Sequence, residues 1–81
     1  MHESHMTEEM VRVALGKASE AGIARITRIC LTIGEKSHVT PESVRLYFDI
    51  FSKGNTAEGA ELSFRSMEGD EDFYIESIEG E

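Results

Sequence analysis

The residues to weigh first for chemistry are the three histidines, His2, His5 and His38, the single cysteine, Cys30, and the acidic run from Glu68 to Asp72. A free α-amine, the backbone amides that follow it and an imidazole at position 2 can close adjoining chelate rings around one ion. Such an all-nitrogen tetragonal set suits Ni(II) or Cu(II). Met1 and His2 supply the amine and the imidazole. Because protons compete for every one of these ligands, an ion held this way is released in acid, as a carrier requires. The same spacing also fits a solvated histidine at a chain end. His5 lies three residues after His2 and shares its face if a helix reaches that far back, so it is a candidate second imidazole. His38, in a loop, completes a site if that loop folds toward the N-terminus; otherwise it is a solvated loop residue.

Catalysis finds little support. A cysteine nucleophile needs an adjacent base held by a third group, whereas Cys30 stands between Ile29 and Leu31, where a small buried thiol is expected. The carboxylates of Glu68 to Asp72 lack the apolar surroundings that would separate their pKa values, and a solvated turn is the expectation there. No GxGxxG, GxxxxGK[ST] or CxxC pattern occurs. The chain is therefore read as no enzyme.

Those candidates sit in 81 residues that carry 16 acidic and 8 basic side chains, a formal net charge of -8 and 40% hydrophobic residues. Such a length makes one domain, residues 1–81, with one thin core. The negative charge argues against nucleic acid and anionic membrane, both of which recruit clustered Lys and Arg. One cysteine allows no internal disulfide, and no apolar run is longer than that from Ile29 to Leu31, far too short to span a bilayer. With no signal sequence visible, a reducing cytoplasm is expected.

The elements that must position the candidates follow from periodicity. Met6, Met10, Val13, Ala14 and Ala21 recur at helical steps, predicting a helix over 6–21 that opens with Thr7, Glu8 and Glu9 as capping and acidic residues and ends at Gly22. Ala24 to Ile33 is rich in β-branched residues and predicts a strand with Ile29, Leu31 and Ile33 on one face. Ile26 is out of phase with that series, which calls for either a bulge near Thr27 or cover on both faces. Thr40-Pro41-Glu42 writes a helix start, and Val44, Tyr47, Phe48 and Phe51 give its apolar face, making this helix the expected main donor to the core. A second strand holds Ala60, Leu62 and Phe64. A third runs from Phe73 to Ile78, with Phe73 and Ile75 on one face and Tyr74 and Ile78 on the other. The expected fold is α+β, order α-β-α-β-β, with two helices on one face of a mixed three-stranded sheet. Strands one and two are expected to be parallel, and the last two, joined by a short polar turn, antiparallel.

With the elements placed, the chain resembles the HypA/HybF family of nickel metallochaperones over nearly its whole length. The matching features are Met1-His2-Glu3, a first helix ending near Gly22, Leu31-Thr32-Ile33-Gly34-Glu35, Phe48-Asp49-Ile50, the Gly59-to-Leu62 entry into strand two, and Ser77-Ile78-Glu79. The resemblance implies that nickel is held by the Met1 amine, the backbone amides of His2 and Glu3 and the His2 imidazole. It implies delivery of nickel to a hydrogenase precursor with the help of a nickel-handling GTPase.

The chain departs from the family pattern in two places. Family members carry a zinc domain with two CxxC motifs before the last strand, whereas here Arg65-Ser66-Met67 runs through the acidic turn straight into Phe73, so no zinc is expected. Where the family often has an acidic residue near the start of helix two, this chain has Thr40, with Glu42 and His38 nearby as substitutes. The alternative function is a non-enzymatic interaction module that kept the fold and lost nickel delivery, its uncovered sheet face or strand edge joining a second copy, as a homodimer, or another protein.

Overall fold

The computed structural model describes the backbone of residues 2–81 and the side chains of residues 4–81. The elements run α1 (His2–Glu20), β1 (Ile26–Gly34), α2 (Pro41–Phe51), β2 (Glu61–Met67) and β3 (Phe73–Gly80). They form two helices and a mixed three-stranded sheet, as the sequence pattern requires.

The sheet order is β2-β1-β3, with β1 parallel to β2 and antiparallel to β3. β2 and β3 thus run in opposite directions, but they are not neighbours, because β1 lies between them. The polar turn that joins them is a bridge over the end of β1. Its carbonyls take the amides left over there: Gly34 N–H donates to Asp72 O (2.7 Å) and Lys36 N–H to Asp70 O (2.8 Å). Gly34 is the residue that permits this approach. A methyl group in its place would overlap the Asp70 carbonyl and lie 2.8 Å from Asp72 O.

Two irregularities in the β1–β3 pairing decide which side chains face the core. The register steps from Ile26↔Gly80 to Arg28↔Glu79, so Thr27 is a bulge residue and Ile26, wholly buried, recovers its phase with Ile29. Thr27 Oγ1 donates to Glu79 O at 3.2 Å. A second step, from Cys30↔Ser77 to Leu31↔Ile75, leaves Glu76 as the extra residue. Ile78 therefore pairs with Ile29 and joins Phe73 and Ile75 on the core face, instead of sharing Tyr74's face as strict alternation had suggested.

α1 is rotated from its expected stripe. Its buried residues are Thr7, Met10, Val11, Ala14 and Ala18, while Val13 is 41% exposed and Ala21 lies beyond the helix. The small residues Ala14 and Ala18 let the helix approach closely, which the apolar count alone misses. Thr7 is an interior residue of the inward face and not a cap. α1 begins at His2 and so contains the turn that the periodicity left out. It also gives the core four buried apolar residues, as many as β1, so α2, with Val44 and Phe48, is not the main donor.

α2 forms as its sequence dictates. Thr40 has extended backbone and its side chain accepts from Ser43 N–H, Pro41 occupies the first turn, and Ser52 closes the helix with its N–H on Phe48 O. Val44 and Phe48 are buried, Tyr47 and Phe51 half-buried. Val44, Phe48 and Phe51 meet Ile29, Leu31 and Leu62 in one core, where each fully buried aliphatic or aromatic side chain contributes about 1.5–3 kcal/mol.

Candidate functional site

Of the residues named for metal binding, His2, Glu3 and His5 belong to the first turns of α1 and His38 to the loop between β1 and α2. Met1 and the side chains of His2 and Glu3 lie outside the described residues. The backbone of α1 starts at His2, and the first four N–H groups of any helix have no carbonyl of their own helix to bond. His5, on the next part of the helix, is exposed.

His38 is exposed in the loop between β1 and α2 and holds a left-handed backbone, φ 65°. Its neighbours force this. Ser37 Oγ donates to Gly34 O (2.7 Å) and accepts from Val39 N–H (3.2 Å), and Val39 is buried, so the chain turns sharply at position 38 and presents the imidazole outward. Thr40 is committed to capping α2, and Glu42 is exposed in its first turn. Among the described residues, no three of His, Cys, Asp and Glu converge on one point that could hold a metal ion.

Cys30 corrects the expectation of a core thiol. It is half-buried and pairs with Ser63 and Ser77, on the sheet face away from Ile29 and Leu31. That face is polar throughout. Arg28 reaches Glu61 at 3.0 Å and Glu79 at 4.0 Å. The hydrogen bond to Glu61, then the attraction of Glu61 and Glu79, pushes the guanidinium pKa further up. Further along, the wholly buried Thr32 donates to Glu76, which also takes Arg65 at 3.3 Å. Among the described residues this face is mainly a lattice of paired charges and small hydroxyls, with Tyr74, 41% exposed, opposite Thr32.

Apolar surface lies elsewhere. A groove of about 250 Å³ runs between α1 and the outer edge of β3, lined by Met6, Met10, Val13, Phe73, Tyr74 and Ile75 with Glu9 beside them. Sequence reading missed it because Met6 and Val13 were counted toward the core. The rotation of α1 set by Ala14 and Ala18 turns them to its rim.

The fold is that of nickel-carrier proteins of known structure. It superposes on a solution structure of the Ni metallochaperone HypA from Helicobacter pylori with a TM-score of 0.73, covering 93% of this chain and 70% of that one at 15% identity. A second HypA solution structure gives 0.69 over 95% of this chain. Residues 1–79 match the family model described as hydrogenase/urease nickel incorporation, metallochaperone, hypA, and the chain belongs to that family. Curated relatives agree. The hydrogenase maturation factor HypA of Dehalococcoides mccartyi is 43% identical over 67 residues, covering 83% of this chain and 56% of the relative. That of Caldanaerobacter subterraneus is 37% identical over 65 residues, 80% of this chain and 57% of the relative. The chain spans a little over half the length of these relatives. Among the described residues no helix is long and apolar enough to cross a membrane.

Proposed function

We propose that this chain carries Ni(II) as transient cargo for maturation of a nickel enzyme such as hydrogenase, bound at its N-terminus. The Met1 amine, the amides of His2 and Glu3 and the His2 imidazole supply four nitrogens, a complete tetragonal set, so neither His5 nor His38 is required as a ligand. The single observation supporting this most strongly is that the family match spans residues 1–79 and so covers the positions of Met1, His2 and Glu3. The start of α1 at His2 is compatible with it, since amides in a first turn carry no intrahelical bond for the metal to displace. No zinc is assigned to the chain, which has one cysteine. By family role its partners are a nickel-handling GTPase and a hydrogenase precursor, met in the cytoplasm.

Calorimetry with Ni(II) tests the reading. The chain with a free N-terminus takes up one ion, and both His2→Ala and a form extended by two residues before Met1 lose it. Unchanged uptake in both variants would exclude the site.

A further inference from the structure

We propose that the groove between α1 and β3 is the docking site for a partner segment that is extended, apolar at alternate positions and flanked by Lys or Arg. The order β2-β1-β3 leaves the outer edge of β3 with no strand beside it, and the groove follows that edge along Phe73, Tyr74 and Ile75. An edge of this kind offers unpaired N–H and C=O groups to another chain, while the groove receives its alternate side chains. Met6 and Met10 form the helical wall, and their unbranched side chains adapt to different apolar shapes. The bulge at Glu76 breaks the regular backbone beyond Ile75, which limits the added strand to a short stretch.

Charge selects the occupant. Glu9 lies in the groove, and Glu71 and Asp72 immediately precede Phe73. Arg12 approaches Glu9 only to 3.9 Å, with both side chains largely exposed, so it does not neutralise this rim. A second copy would bring another net charge of -8, and another acidic β3, against the same surface. A basic-flanked segment gains attraction where a second copy meets repulsion. Met6 stands four residues beyond His2 on the same helix, about 6 Å along its axis. A segment bound here therefore lies beside the start of α1, and the proposal extends the carrier reading to the kind of partner that meets it.

The test uses the full chain and two blocked peptides with the same alternating apolar core, one flanked by lysines and one by glutamates. Methyl NMR follows Met6, Met10, Val13 and Ile75. The lysine peptide is expected to shift these signals, with binding that weakens as salt rises. The Val13→Lys variant, changed at a partly exposed position, is expected to bind it about tenfold more weakly. Nickel uptake by Val13→Lys is measured alongside and stays at the parent value, so failure of docking and failure of the metal site are told apart. Equal binding of the glutamate peptide, no shift with either peptide, or the same shifts produced by raising protein concentration alone would each overturn the proposal.

Discussion

Thr32 Oγ1 donates to Glu76 Oε2 over 2.7 Å, joining a wholly buried hydroxyl in the central strand to the extra residue of the β3 bulge. The bulge re-aims Glu76 across the sheet, where the same oxygen takes Arg65 from β2 at 3.3 Å. One carboxylate thereby ties all three strands on the uncovered face.

Glu76→Ala removes the acceptor while leaving Thr32 buried, and unfolding in urea should show a loss of about 1–3 kcal/mol. Thr32→Val in the same background removes the stranded donor. The double variant should therefore lose less than the sum of the two single changes, a coupling that a double-mutant cycle reads directly.

Gly34 and Gly69 make a contrasting pair. Gly34→Ala forces a methyl group into the Asp70 carbonyl and should cost about 1–3 kcal/mol, visible as a lower Tm, because the backbone of the turn at Asp70 and Asp72 must move. At Gly69 there is open space but φ is 75°, so Gly69→Ala should cost about 1 kcal/mol through backbone strain alone.

His38 holds a conformation that glycine adopts without penalty. His38→Gly should raise stability by about 0.5–1 kcal/mol in thermal unfolding. Nickel titration of the same variant should match the parent, since four nitrogens at the N-terminus complete the proposed set. Weakened uptake would make the loop imidazole a ligand.

Nickel uptake should fall with falling pH. Protons compete with the ion for the amine and the imidazole, and both amides must lose a proton to bind. Calorimetry in buffers of different ionisation enthalpy should report about two or more protons released per ion near neutral pH. Release of none would exclude amide ligation.

Much of this architecture was legible in the residues. Thr40-Pro41-Glu42 carries its own helix start because the signal is local, whereas the phase break at Ile26 fits either the Thr27 bulge or cover on both faces, and the pairing with β3 decides for the bulge. The second bulge left no such trace. Glu76 reads as an ordinary outward position, and only pairing with β1 shows that Ile78 has crossed to the core face. Strand order was hidden for a related reason: the turn from Glu68 to Asp72 is short enough for a hairpin, and its crossing over β1 depends on the bare α-carbon of Gly34, which sequence shows only as one glycine among seven. As for the candidate site, the type and position of Met1, His2 and Glu3 are visible in the sequence. The groove is not, because it depends on how far small alanines rotate a helix.

The bridge from β2 to β3 has a consequence for how such a molecule changes over time. Neither outer strand takes its register from the other; each is aligned separately by the central one. The register of the outer strands therefore does not depend on the length of polypeptide between Met67 and Phe73, and a lobe gained or shed at that seam has only to replace the carbonyls that hold the amides of Gly34 and Lys36.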